Sequence, residues 1–133
     1  MYLRRFYFII LVYVNLKMEY DTKDKTFWKR KGNDMKVLLG AVNAKYIHSN
    51  LAVYCLKAYA EKYGDTSDEI SIGEYTINQQ LDEILRDIYK RKPDMLCLSC
   101  YIWNLTYVEE ICREIKKVMP QIIIWIGGPE VSY

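Results

Sequence analysis

Three groups of residues in this 133-residue chain are of types that could do chemistry. The first is Asn43-Ala44-Lys45-Tyr46-Ile47-His48, which carries the one histidine of the chain. An imidazole there could ligate a metal, move a proton or close the start of a helix. The second is Cys97-x-x-Cys100, followed by Tyr101, Trp103 and Asn104. Thiols at that spacing could form a redox pair or half of a zinc site, and the aromatics could flank a flat ligand. The third is Gly127-Gly128-Pro129-Glu130. Paired glycines either make a tight turn or leave room for a bulky group against the backbone.

The elements that must position these residues narrow the choice. Residues 36–42 (KVLLGAV) form a short apolar run, as a strand buried on both faces requires. Leu51, Tyr54, Cys55, Ala58 and Tyr59 then recur at the spacing of one helix face. Ser49 or Asn50 is placed to cap that helix and Gly64 to stop it. Residues 70–75 (ISIGEY) alternate weakly and read as a shorter, more exposed strand. A second helical stripe follows in Leu81, Ile84, Leu85, Ile88 and Tyr89, ended by Lys92-Pro93. Residues 95–99 (MLCLS) predict a buried strand, and Val108, Ile111, Cys112, Ile115 and Met119 a third helix, capped by Asn104 and stopped by Pro120. Residues 121–126 (QIIIWI) predict a fourth strand.

The order βαβαβαβ predicts the α/β class, a flavodoxin- or Rossmann-like three-layer sandwich whose mainly parallel sheet has strand order 2-1-3-4. Residue 133 falls where a fourth helix should begin, so the domain reads as C-terminally truncated, cut from something longer. Right-handed crossovers place loops 43–48, 100–104 and 127–130 together at the carboxyl edge of the sheet.

Several chemistries do not fit those loops. A dinucleotide needs glycine after the first strand, and 43–48 has none. A phosphate-binding P-loop is absent, and a phospho-accepting receiver would want acids where Asn43 and Cys100 stand. Flavin stays open, since Tyr46, Tyr101 and Trp103 could flank its ring, although the first loop lacks hydroxyls for its phosphate. Cys97 and Cys100, three apart on a strand end, point to opposite faces and cannot share a metal without a bend. Cys55 and Cys112 fall on apolar stripes and read as core. His48 beside Ser49 and Asn50 has a capping role open to it.

Composition excludes more. Nineteen basic and seventeen acidic residues leave a net charge of +2 with the signs mixed, which gives no footprint for nucleic acid. A hydrophobic content of 51% excludes disorder. Four irregularly spaced cysteines do not make a disulfide scaffold, so a reducing cytoplasm is expected.

The segments KVLLGAVNAKYIHSNLAVYCLKAY, GEYTIN, LCLSCYIWN and IIIWIGGPEVSY carry a resemblance over residues 35–133. They resemble the N-terminal cobalamin-binding domain of cobalamin-dependent radical S-adenosylmethionine enzymes. The resemblance implies a corrinoid across the carboxyl edge, with its nucleotide tail descending between sheet and helix near Ser99 and Gly127-Gly128. The implied cofactor-binding set is Asn43, Tyr46, Ile47, His48, Ser99, Tyr101, Trp103, Asn104, Gly127, Gly128, Pro129 and Glu130, with no catalytic residue. Where related domains carry Asp-x-His-x-x-Gly, this chain has Tyr46 two before His48 and Leu51 three after it. A His ligand without its carboxylate lacks the group that orients it, so cobalt is expected to be held without His48. The Cys-x-x-x-Cys-x-x-Cys of the family's 4Fe-4S cluster is absent from the chain. Cluster and S-adenosylmethionine are therefore expected only in a C-terminal barrel domain of the parent, the expected partner. Methyl transfer or related radical chemistry would belong to that parent. The alternatives are a Rossmann-like interaction or regulatory domain without cofactor, and a flavin-binding module.

Residues 1–34 read differently. Arg4-Arg5 precede an apolar run, 6–14, and a charged stretch follows. That run is far short of the ~20 residues that span a bilayer. A signal or anchor, an extra strand or arm, and translation from upstream of a natural start at Met35 are the three readings. No nucleic-acid or membrane partner is expected, and an exposed domain face would make a homodimer unsurprising.

Overall fold

A computed structural model describes residues 18–20, 28–30, 34–45, 49–63 and 68–128. The chain divides into two compact units, Met1–Asp34 and Met35–Tyr133. In the first, β1 (Met18–Tyr20) pairs antiparallel with β2 (Trp28–Arg30), Met18 opposite Arg30. The sequence reading assigns no strand to this stretch, where apolar residues are too sparse for a period of two to show. The apolar run 6–14 lies outside the described residues.

In the second unit, β3 (Lys36–Asn43) is buried along Val37 to Val42, because it is flanked by strands on both edges and covered on both faces. The remaining elements are α1 (Leu51–Tyr63), β4 (Glu69–Thr76), α2 (Leu81–Arg91), β5 (Met95–Ser99), α3 (Leu105–Val118) and β6 (Ile123–Gly127). The sheet order is β4-β3-β5-β6 and every pairing is parallel. Counted within the unit, that is 2-1-3-4, with helices on both faces, as the sequence pattern predicts.

Alternation along the strands sorts the core. Leu38, Val42, Tyr75, Leu96 and Leu98 meet Ile84 and Ile88 of α2 and Val108, Ile111 and Ile115 of α3 in one buried cluster. Val37, Leu39, Ala41 and Met95 point the other way and are buried on the face that α1 covers with Val53 and Leu56. Truncating one of the fully buried isoleucines, Ile111→Ala for example, removes about 2–5 kcal/mol. The α2 helix ends where Lys92 adopts the left-handed conformation (φ 48°) immediately before Pro93. Tyr75 ties β4 to α2 by donating to Asp87 at 2.7 Å.

Four expectations change. The buried side of α1 is Val53 and Leu56, whereas Leu51, Tyr54, Cys55 and Ala58 are exposed and Tyr59 is half-buried. Cys55 is therefore not core. The second strand is not short: β4 is the more exposed edge strand, as expected, but it pairs with β3 along all eight residues and buries Gly73, Tyr75 and Thr76. The fourth strand starts at Ile123, since residues 120 and 121 form a turn. Asn104 does not cap α3 with its side chain, which is turned back into the preceding loop. Gly64 lies outside the described residues.

Candidate functional site

The carboxyl ends of four parallel strands bring distant residues together. Ser99, the last residue of β5, lies in register with Gly127 of β6 and with Ala41 of β3. Its Oγ accepts a hydrogen bond from Nδ2 of Asn50 at 2.8 Å. Asn50 sits just before α1, and its Oδ1 accepts from the Ala52 N–H at 3.0 Å, which caps the helix. Glu74 on β4 completes the group. Its carboxylate accepts from the Tyr54 hydroxyl at 2.8 Å and, at 3.4 Å each, from the Asn50 backbone N–H and Asn43 Nδ2. The hydrogen bond to Glu74 and its negative charge raise the pKa of Tyr54, so the phenol stays protonated. Asn43, Asn50, Tyr54, Glu74 and Ser99 thus form one chain of amide, hydroxyl and carboxylate groups.

The loop after β5 is braced from beneath. Asn104 is 1% exposed. Its Oδ1 accepts from the Tyr101 N–H at 2.7 Å, and its Nδ2 donates to the carbonyls of Val42 and Ser99, both at 3.0 Å. All these bonds run to backbone, so Asn104 shapes the loop rather than presenting a polar group outward. Above it the Tyr101 and Trp103 rings stack, with centroids 4.5 Å apart and planes 7° from parallel. Trp103 is 49% exposed and Ile102 76%, so the loop tip offers an apolar, flat surface beside the polar chain.

At the end of β6, the Gly127 carbonyl accepts from the Cys100 N–H, and Gly128 adopts φ +126°. A Cβ on Gly128 would collide with the Cys100 carbonyl oxygen. The glycine is required by this close backbone approach. Of the two roles open to the glycine pair, a tight turn or room for a bulky group, the geometry at 128 requires the first. One pleat below Gly127, on the same face, stands Trp125, in register with Cys97. Its indole Nε1 is buried with no hydrogen-bond partner among the described residues.

The cysteines do not converge. Cys97 lies on the α1 face of β5, where burial pushes its thiol up to about 12, while Cys100 is wholly buried and belongs to the cluster beneath α2 and α3. No group of metal-ligating side chains occurs among the described residues.

Of the residues expected at this edge, Asn43, Ser99, Tyr101, Trp103, Asn104, Gly127 and Gly128 are brought to it. Tyr46, Ile47, His48, Pro129 and Glu130 lie outside the described residues. Sequence reasoning missed Glu74 and Tyr54, and it read Asn50 only as a cap. Glu74 was legible in one respect: once β4 is placed beside β3, it is the acid next to the carboxyl end of the sheet.

The model of the B12 binding domain matches residues 35–133. A cobalamin-dependent radical SAM methyltransferase of Streptomyces tokunonensis, TokK, is 38% identical over 40 residues, 30% of this chain and 6% of that protein. A 2-(S-pantetheinyl)-carbapenam-3-carboxylate methyltransferase of Streptantibioticus cattleyicolor is 41% identical over 39 residues, 29% of this chain and 6% of that protein. The match therefore spans a small part of either relative. With its all-parallel 2-1-3-4 sheet and a family match across the whole second unit, the chain belongs to the B12-binding domain family.

Proposed function

We propose that residues 35–133 hold cobalamin across the carboxyl edge of the sheet, as the cofactor module of a larger radical S-adenosylmethionine enzyme that transfers methyl groups. The observation that carries this reading is the hydrogen-bonded chain Glu74–Asn50–Ser99 beside the exposed Tyr101–Trp103 stack. The donor set fits the group. A corrin ring is fringed with neutral amides that both donate and accept hydrogen bonds, and the described edge supplies amides, a hydroxyl and a carboxylate. The buried, unpartnered Trp125 Nε1–H lies on the sheet face below Ser99 and Gly127, where an oxygen-rich nucleotide tail would supply its acceptor.

In this reading Asn43 and Ser99 orient the ring edge and tail, and Tyr101 and Trp103 exclude water from one side of the corrin. Asn104 and Gly128 fix the loops that carry them. When bound, cobalamin supplies a carrier for a methyl group. The cluster and S-adenosylmethionine would be held by a barrel domain that follows in the parent protein. The name of the first relative supports that parent class, and the names of both support methyl transfer.

Residues 43–48 contain no acid to orient an imidazole, so cobalt would be held without one from His48. Purified protein incubated with hydroxocobalamin, then separated from free ligand, should retain its visible spectrum. His48→Ala should leave that spectrum unchanged. Retention of FMN instead of cobalamin would overturn the reading, and a shift of the cobalt-ligand bands in His48→Ala would overturn the ligation.

A further inference from the structure

We propose that Asn50 sets the polarity of the Ser99 hydroxyl, so that Ser99 offers a proton to cobalamin and the ligand atom seated there is a hydrogen-bond acceptor. This rests on the reading of residues 35–133 as a cobalamin module. The argument begins with the Ala52 backbone N–H, which can only donate. It donates to Asn50 at 3.0 Å, so the atom it meets must be Oδ1 and the amide cannot be turned over. The other end of that amide, an NH2 group with no acceptor capacity, then faces Ser99 Oγ at 2.8 Å. Ser99 must accept. Its own proton is left to point elsewhere, and no hydrogen bond among the described residues uses it. Ser99 is half-buried at the carboxyl edge, in register with Gly127, so the outward direction is the cofactor edge.

A helix cap thereby becomes a specificity device. The start of α1 reads the backbone direction at Ala52 and transmits it through one rigid amide to a hydroxyl 49 residues away in sequence. Glu74 steadies the same turn by accepting from the Asn50 N–H.

Asn50→Asp tests this. Aspartate keeps an acceptor for Ala52 and is as good a cap, but it presents only acceptors to Ser99. The Ser99 proton would turn inward to the new carboxylate, and its oxygen would face the ligand's acceptor. Hydroxocobalamin affinity should fall roughly 10- to 100-fold while the melting temperature stays within about 3 °C of wild type. Asn50→Ser retains a cap without new charge and frees the hydroxyl to rotate, so its loss should be smaller than that of Asn50→Asp.

A double-mutant cycle with Ser99→Ala separates polarity from charge or distortion. In the Ser99→Ala background the effect of Asn50→Asp should shrink to under about threefold. Affinity of Asn50→Asp within twofold of wild type would overturn the proposal, as would a loss undiminished in Ser99→Ala. Failure of wild-type protein to bind hydroxocobalamin at all would overturn the cobalamin reading itself, and is distinguishable from both.

Discussion

At the scale of single residues, the site separates into side chains that face outward and side chains that shape the edge from within. Trp103 is of the first kind, half exposed and stacked on Tyr101. Trp103→Ala should weaken cobalamin binding by about 1–3 kcal/mol with little change in thermal stability, as a titration and a melt on the same protein would show. Gly128 is of the second kind. At φ +126°, with the Cys100 backbone where a Cβ would stand, Gly128→Val should cost on the order of 3 kcal/mol of stability. A Gly128→Val protein as stable as wild type in denaturant would contradict that assignment. Thiol chemistry follows the same division. Cys55 is exposed and should react with Ellman's reagent in the folded state, whereas Cys97 and Cys100 should react only on unfolding. Burial raises the Cys97 thiol from its ordinary 9.0 to about 12, so the folded state keeps a proton that the unfolded state releases. Stability from this group is intact below pH 9 and is lost as pH rises from about 9 toward 12. Cys97→Ala should flatten that alkaline decline, measured by denaturant melts across the range.

At the scale of elements, the helix α1 decides how the first loop meets the sheet. Its core contacts are Val53 and Leu56, so Leu56→Ala should remove about 2–4 kcal/mol while Leu51→Ser, at a position 74% exposed, stays within about 0.5 kcal/mol. Equal costs for the two would mean that the helix docks on its other face. The central strands β3 and β5 were legible as continuous apolar runs buried on both faces, the edge strand β4 by its weaker alternation, and α2 and α3 by one apolar stripe each. The facing of α1 was not legible. It carries Leu51, Tyr54, Cys55, Ala58 and Tyr59 on one side and Val53 and Leu56 on another, and only its seat on β3 and β4 chooses between them. The site was legible to the extent that topology gathers strand ends: Ser99, Asn43 and Gly127 fell where a 2-1-3-4 sheet must put them. Its internal wiring was hidden, because Asn50–Ser99 and Asn43–Glu74 join residues 49 and 31 apart, and no local pattern announces such pairs. Asn104 shows the same difficulty. Its position before a helix suggests a cap, yet its amide binds three backbone groups behind it. Asn104→Ala strands those groups and should cost roughly 3 kcal/mol, read from denaturant melts.

At the scale of the whole molecule, the question is what residues 35–133 need in order to fold. Every described member of the buried cluster, from Leu38 to Ile122, lies within them. So do all four strands of the parallel sheet and the three helices that cover it. The amino end of β3 is also secured from inside the unit. The Met35 N–H donates to Asp68 at 3.0 Å, the Lys36 N–H donates to Asp94 at 2.8 Å, and the carbonyls of the two accept from the N–H groups of Glu69 and Asp94 respectively. A protein beginning at Met35 would put an α-ammonium group where that first N–H now stands, opposite the Asp68 carboxylate. A charged donor would replace a neutral one on the same carboxylate, adding a direct attraction between the two ions. The family match begins at the same residue. A chain starting at Met35 should therefore melt within about 1 kcal/mol of the full chain at neutral pH and bind hydroxocobalamin equally well. A Tm drop of about 10 °C or more, or loss of the bound spectrum, would show instead that residues 1–34 belong to the folding unit. Asp68→Asn in the shortened chain sharpens the comparison. It removes the charge that the new amino terminus would face, and in the shortened chain should cost the stability that the ion-paired hydrogen bond supplies.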